Sequence, residues 1–339
     1  MKSEDNGAGE AAPDHKEEST VDMEQMVSLK SWGAPPRIIV EGGASEAIVD
    51  CGWGRLLFGQ TFASSERLVE ELRREKPGQR DVALYIRDPQ VIVAQAPQDL
   101  FIDPSVTYRL ALDRDTPDPR DLPGIEIRPL IGGWDEYHIN RIYKARGMVP
   151  LREDFTASIL ARDEVQILVA WDSELGKTVG CVTGVDHVSA FSDPDNGSSL
   201  WALAVDPQCR QPGVGRALVE ALAGWFRDRG RAFMDLSVMH DNEQAIALYR
   251  KLGFRQVPVY CVKTRNAINE ALYVGPREDE GLNPYAQIIS DEAYRRGIAV
   301  EVIDAPAGLF RLSLGGRVVH CRESLTDATS AVAMSRCDD

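Results

Sequence analysis

Leu200-Trp-Ala-Leu-Ala-Val205, followed by Asp206-Pro-Gln-Cys-Arg210-Gln-Pro-Gly213-Val-Gly215-Arg216 and then Ala217-Leu-Val-Glu-Ala-Leu-Ala-Gly-Trp225-Phe226, is the stretch whose reading decides the fold. The apolar run Leu200 to Val205 predicts a buried strand, and Pro207 a turn after it. Val214, Ala217, Leu218, Ala221, Leu222, Trp225 and Phe226 recur at helical spacing, so an amphipathic helix follows. A strand, a glycine-containing loop and a helix N-terminus make a ready anion site. The first N–H groups of the helix have no partner, its dipole is positive there, and missing Cβ atoms let a phosphate approach.

About thirty residues on stands Asn242-Glu-Gln-Ala-Ile-Ala-Leu-Tyr249-Arg-Lys-Leu-Gly253-Phe254, preceded by Leu236-x-Val238 as the strand leading into it. With Arg210-Gln-Pro-Gly213-Val-Gly215 it resembles the paired signature motifs of the GNAT superfamily of N-acetyltransferases, which use acetyl-CoA. The resemblance implies a GNAT fold of α+β (α/β) class, with a mixed, mainly antiparallel sheet flanked by helices.

Composition bounds the rest. At 339 residues there is room for two to three domains, and 43% hydrophobic content is ample for cores. A formal charge of −15 argues against nucleic acid or an anionic membrane as main partner. The six cysteines (Cys51, Cys181, Cys209, Cys261, Cys321, Cys337) have no paired spacing, so they read as buried apolar residues of a reducing cytoplasm, with no metal implied. No signal peptide or apolar run of spanning length is present in the sequence.

In chain order, residues 1–34 read as a disordered acidic tail. Residues 35–112 read as a small α+β block with strands at Arg37–Val40, Ala47–Asp50, Arg55–Phe58, Asp81–Ile86, Val91–Ala94 and Val106–Leu112. A helix spans Ser64–Lys76, and hairpin turns fall at Gly42-Gly43 and Gly52-x-Gly54. By the resemblance this block is a degenerate, GNAT-like partner. Residues 113–124, with their prolines and aspartates, are a linker.

Residues 125–276 then follow the GNAT order. Ile125–Leu130 is a strand, Trp134–Arg146 and Glu153–Arg162 are helices, and Val165–Trp171 with Thr178–Val188 form a hairpin. The quoted strand and helix come next, then a strand at Ala232–Val238, a helix at Asn242–Leu252 and a last strand at Phe254–Thr264. Residues 277–339 carry a helix from Pro284, a strand at Val300–Ile303, a Gly315-Gly316 hairpin over Leu309–His320 and a helix beginning at Ser324. This part resembles the start of an ATP-grasp-type ligase region, incomplete here. With Asp50-Cys-Gly-Trp-Gly-Arg-Leu-Leu-Phe-Gly-Gln60, the whole resembles the N-terminal part of the GNAT/ATP-grasp fusion family, the N-acetylglutaminylglutamine synthetases, which make an osmoprotectant precursor.

The chemistry divides accordingly. Backbone N–H groups of Gln211, Gly213, Val214, Gly215 and Arg216 are placed to cradle the CoA pyrophosphate, with Arg210 and Arg216 as charge-assisted additions. By resemblance, a strand N–H among Leu203, Ala204 and Val205 stabilises the oxyanion, and Tyr249 is the catalytic proton donor to the leaving thiolate. Asn242 caps its helix, bonds the pantetheine, or does both. The strand carries no carboxylate to act as base. Asp206, Asp186, His187 and His240 are candidates, each also readable as a surface or capping residue.

An α-amine (pKa about 7.7–8.0) is roughly a tenth neutral at pH 7, a lysine amine below a thousandth. A weak or water-relayed base therefore fits an α-amine acceptor better than a lysine one, and the partner expected is a small-molecule amine acceptor. The reading is acetylation of glutamine or glutaminylglutamine, with the chain's own ATP-grasp domain as partner in the full-length protein. Two alternatives stand beside it: an unrelated amine acceptor (protein N-terminus or polyamine), and a non-catalytic acetyl-CoA-binding module.

Overall fold

The structure, a computed structural model, describes residues 46–113, 116, 120–153, 155–273, 279, 281–296, 298–314 and 317–329. The first part holds β1 (Ile48–Asp50), β2 (Arg55–Phe58), α1 (Ser65–Leu72), β3 (Val82–Ile86), α2 (Pro89–Gln95), β4 (Leu100–Ile102) and β5 (Ser105–Ala111). Then come β6 (Ile125–Pro129), α3 (Gly133–Ala145), α4 (Phe155–Ile159), β7 (Val165–Asp172), β8 (Lys177–Asp186), α5 (His187–Phe191), β9 (Gly197–Val205) and α6 (Val214–Asp228). They are followed by β10 (Phe233–Met239), α7 (Glu243–Lys251), β11 (Arg255–Val257), β12 (Tyr260–Thr264) and α8 (Glu270–Tyr273). The last part holds α9 (Pro284–Arg295), β13 (Ala299–Asp304), β14 (Leu309–Leu314), β15 (Arg317–Arg322) and β16 (Leu325–Thr326).

Three sheets result: β1-β2-β3-β12-β4, β11-β5-β10-β9-β8-β7-β6, and β13-β14-β15-β16. The first two repeat one plan. Each has a parallel pair joined through a helix, β2–α1–β3 and β9–α6–β10. Each continues through a second helix to an edge strand, β4 or β11. The slot between that edge and the parallel pair is filled from the other half: β12 lies between β3 and β4, and β5 between β10 and β11. The two halves thus exchange their last strands.

Helix α6 shows why the central layer holds. Val214, Leu218, Leu222 and Phe226 are buried along one face, each contributing about 2 kcal/mol by area. They settle against β8 closely enough that a Cβ on Gly184 would lie 2.6 Å from Leu222 Cδ1. Glycine is required there by packing. Helix α1 starts where Ser64 accepts from Arg67 N, and α7 where Asn242 accepts from Ala245 N.

Several expectations change. Val91–Ala94 is not a strand but the middle of α2, because Pro89 presets the first helical φ and only Ile92 of the run is buried while Val91 is exposed. The strand expected over Thr178–Val188 ends at Asp186, whose carboxylate accepts from the N–H groups of Val188 and Ser189 and starts α5. Phe254–Thr264 breaks into β11 and β12 as the chain passes from one sheet to the other. Ser324 does not open a helix: β16 pairs with β15 instead. Expectations for 1–45, including Arg37–Val40 and Gly42-Gly43, for the Gly315-Gly316 turn and for 330–339 lie outside the described residues.

Candidate active site

The loop after β9 runs into α6 in the expected strand–loop–helix order. Helix α6 begins at Val214 with Gly213 as N-cap, at φ +90°, and no side chain caps it. The leading N–H groups of α6 have no intrahelical partner. A Cβ on Gly215 would make only ordinary contact, 3.5 Å from Val205 Cγ2, so that residue's smallness faces outward rather than into the core. Of the two arginines, Arg216 is held by Glu220 (Nε to Oε1, 2.7 Å) while Arg210 is exposed and has no carboxylate partner among the described residues. Gln211 is half-buried and its carbonyl accepts from Cys209 Sγ at 3.7 Å.

Strand β9 has two further properties. Its registered pairing with β10 runs from Gly197/Phe233 to Leu200/Leu236 and stops, although both strands continue. On the other side, Cys181 pairs with Ala204 and Thr183 with Trp201, so Ala202 and Leu203 share the space opposite Val182. That is a β-bulge, with Ala202 at φ +48° and its carbonyl accepting from Tyr143 Oη at 3.3 Å. The bulge turns backbone polar groups of Ala202 and Leu203 out of the regular ladder beside the unpaired end of β10. Ala204 and Val205 resume pairing with Cys181 and Gly180.

Tyr249 belongs to the same buried cluster as Val214, Leu236 and Val238, with Leu203 and Val205 packed against it. It is 6% exposed, its ring lies 5.6 Å from that of Phe254, and burial pushes its hydroxyl up to about 12. A hydroxyl held that high is a hydrogen-bond donor rather than a ready source of protons. Asn242 Oδ1 is the cap of α7, 3.2 Å from Ala245 N.

Beside the open end of β9 and β10 is a small cleft with about 10 Å³ of free space, room for one water. Tyr85, Thr107, Ser199, Trp201, Asp235 and Ser237 supply its polar groups, and they come from both halves. Asp235 sits between Arg109 and Ser199 in register. Arg109 grips it through Nε (2.7 Å) and Nη2 (2.6 Å), and Tyr85 Oη donates to it at 2.7 Å. Burial and the Asp235 charge raise the Tyr85 hydroxyl well above its ordinary value. These residues were missed in the sequence. Only the paired Arg and Asp on predicted strands could have hinted at them, and strand exchange hides that they are neighbours.

The four base candidates separate. Asp186 is buried, caps α5 and pairs with Arg229 and Arg231. Asp206 is buried beneath Arg141 (2.5 Å). Burial opposes its charge, but the Arg141 hydrogen bond and the Gln208 N–H outweigh that and hold its carboxyl below the usual range. His240 is exposed, with Nδ1 2.9 Å from the Pro104 carbonyl. His187 is 1% exposed, with Nε2 2.9 Å from Ser199 Oγ. Only His187 touches a residue of the cleft.

Residues 134–254 match the model of the acetyltransferase (GNAT) family. The fold around them is the GNAT fold, with mixed sheets flanked by helices. A [ribosomal protein bS18]-alanine N-acetyltransferase of Escherichia coli (strain K12) is 42% identical over 62 residues, which are 18% of this chain and 42% of that protein. A mycothiol acetyltransferase of Amycolatopsis mediterranei is 30% identical over 152 residues, 41% of this chain and 49% of that protein. The chain thus spans about half or less of these relatives. The crystal structure of a GCN5-related N-acetyltransferase from Sphaerobacter thermophilus aligns at TM-score 0.42 and 18% identity, covering 64% of this chain and 74% of that one. No helix among the described residues is long and apolar enough to cross a membrane.

Proposed function

We propose that the protein is an acetyl-CoA-dependent N-acetyltransferase acting on an α-amine. The observation that carries this is the junction of three features at one end of β9: an uncapped helix with Gly213 in the left-handed region, a bulge that takes Ala202 and Leu203 out of the registered pairing with β8, and Tyr249 in the same cluster. The α6 N-terminus, with Gln211, Gly213, Val214, Gly215 and Arg216, would hold the pyrophosphate, Arg210 being free to add charge. Leu203 N–H, between Ala204 and Val205 of the ladder and the bulge, would meet the thioester oxygen. Asn242 spends its oxygen on the cap and has its amide left for the pantetheine.

The acceptor we favour is glutamine or glutaminylglutamine. On this reading residues 125–276 are the GNAT domain, 35–112 its degenerate partner, 113–124 the link, and 277–339 the start of an ATP-grasp-type ligase region that acts with it in the cytoplasm. The buried, free thiols of Cys51, Cys181, Cys261 and Cys321 suit a reducing compartment. A second reading, a protein N-terminal α-amine, is favoured by the 42% identity to a ribosomal-protein alanine acetyltransferase.

Thiol release from acetyl-CoA tests both. Glutamine, glutaminylglutamine, glutamate, spermidine and an alanyl peptide are offered in parallel. Turnover with the glutamine compounds alone supports the first acceptor, and turnover with the peptide alone the second. Tight acetyl-CoA binding without turnover on any acceptor makes the domain a non-catalytic sensor.

A further inference from the structure

Ser199, His187 and Asp193 form a buried chain that starts at the wall of the cleft. Ser199 Oγ lies 2.9 Å from His187 Nε2, and Asp193 Oδ2 lies 3.6 Å from His187 Nδ1, an ion-pair distance. Asp193 is held in place by accepting from the N–H groups of Gly197 (2.9 Å) and Asp195 (3.2 Å). Burial opposes its charge, yet the His187 contact and these N–H groups hold its carboxyl below the usual range. Trp201 Nε1 donates to Ser199 Oγ at 2.8 Å.

The directions of these contacts follow from the inventory of donors. A carboxylate can only accept, so its place 3.6 Å from Nδ1 favours the tautomer with the His187 proton on Nδ1 and Nε2 as acceptor. The indole can only donate, so it takes one lone pair of Ser199 and turns the hydroxyl proton toward Nε2. One lone pair of Ser199 remains; the residue is 1% exposed, and the small space it lines has room for about one water, which can bridge it to the acceptor nitrogen. Nucleophile-activating sites use this arrangement, a hydroxyl on an imidazole oriented by a carboxylate.

We propose that Ser199 is the residue that takes the proton from the acceptor amine, passing its own to His187, with Asp193 as the positioning residue. This rests on the acetyltransferase reading. The acceptor nitrogen bonds to the acetyl carbonyl carbon and the carbon–sulfur bond breaks. Before the nitrogen–carbon bond forms, the ammonium form of the acceptor gives one proton to Ser199 Oγ as the Ser199 proton moves to His187 Nε2, and a second proton leaves the nitrogen as the bond forms. The thiolate, hydrogen-bonded by Tyr249, takes the second proton through solvent, and His187 passes the first through Ser199 to solvent, so one proton is released for each ammonium acetylated. The other groups packed against His187 are Phe58 of β2, Tyr85 of β3 and Phe191 of α5. Charged groups near by are Asp186 with Arg229 and Arg231, and Asp235 with Arg109 behind Tyr85.

The test is the pH profile of kcat with an α-amine acceptor, for wild type, Ser199→Ala, His187→Gln and His240→Gln, with acetyl-CoA affinity measured by calorimetry as the check on folding. Glutamine at position 187 keeps a polar contact to Ser199 but cannot take a proton. Expected is a roughly 10²-fold loss at pH 7 in the first two variants, shrinking as pH rises and the amine deprotonates in solution, with acetyl-CoA affinity and the His240→Gln profile unchanged. A full rate in His187→Gln, or a loss constant across pH, overturns the relay. So does a changed profile in His240→Gln alone. Absence of turnover in wild type with every acceptor instead overturns the acetyltransferase reading beneath it.

Discussion

Replacing Gly213 and Gly215 separately by alanine distinguishes two effects expected of the loop, on backbone strain and on the proposed anion site. Gly213 sits at φ +90°, and a Cβ there would meet only Leu122 Cδ2 at 3.7 Å. The cost of Gly213→Ala is therefore backbone strain, about 1–2 kcal/mol for a left-handed L-residue. For a cooperative unit of this size that lowers Tm by roughly 3–6 °C. Strain relieved by rotating the peptide also misaims the first N–H groups of α6, and losing one charge-assisted hydrogen bond of about 1.5–3 kcal/mol weakens acetyl-CoA binding about 10- to 100-fold. Gly215 has an ordinary helical backbone, and a Cβ there makes only an ordinary contact with Val205 Cγ2 at 3.5 Å, so Gly215→Ala stabilises by about 0.5–1 kcal/mol. Its methyl group stands where a phosphate would approach, so affinity falls while Tm rises. Thermal unfolding with and without acetyl-CoA, together with titration calorimetry, reads both effects. Unchanged affinity in both variants refutes the anion site, and an unchanged Tm in Gly213→Ala refutes the strain argument.

Other outcomes follow from the same geometry. Tyr249→Phe lowers kcat by about 10²-fold and leaves Tm within about 1 °C, since the hydroxyl makes no hydrogen bond among the described residues; steady-state kinetics and calorimetry check both. Ala202→Gly relieves φ +48° and stabilises by up to about 1 kcal/mol, read by denaturant titration, although a looser bulge lowers kcat. Asp193 and Asp206 have folded pKa values depressed below the ordinary value. Their stabilisation is complete above that ordinary value, near pH 4, and is lost as pH falls through the folded values, so Asp206→Asn flattens the acid limb of a stability-against-pH curve.

The strand–loop–helix around Gly213 was legible because its signals are local: an apolar run, glycines and a helical period all fall within one window. The α7 cap at Asn242 was legible for the same reason. Val91–Ala94 misled because a short apolar run does not distinguish strand from helix, and Pro89 decides it. The cleft was illegible for a different reason. Tyr85, Arg109, Ser199 and Asp235 lie far apart in sequence, and what joins them is that β5 and β12 cross between halves. Periodicity reports which face of a strand is buried and says nothing about its neighbour.

That exchange carries a consequence for folding. Strand β5 makes seven registered pairs with β10, from Phe233/Ala111 to Met239/Ser105, and three more with β11. A chain starting at Arg120 lacks β5, so β10 loses one whole ladder and β11 its only registered partner among the described residues. Thr107 and Arg109 leave with it, and Asp235 would be buried beside no guanidinium, a loss of about 3–5 kcal/mol by itself. Against a typical stability of about 5–15 kcal/mol, that charge and the exposed edge are together decisive. Residues 120–273 alone are therefore expected to be insoluble or unfolded, although they contain the whole family match. Residues 46–273 should unfold in one transition, with circular dichroism and tryptophan fluorescence coincident. A soluble 120–273 fragment that binds acetyl-CoA as tightly as 46–273 would show that the strand exchange is dispensable.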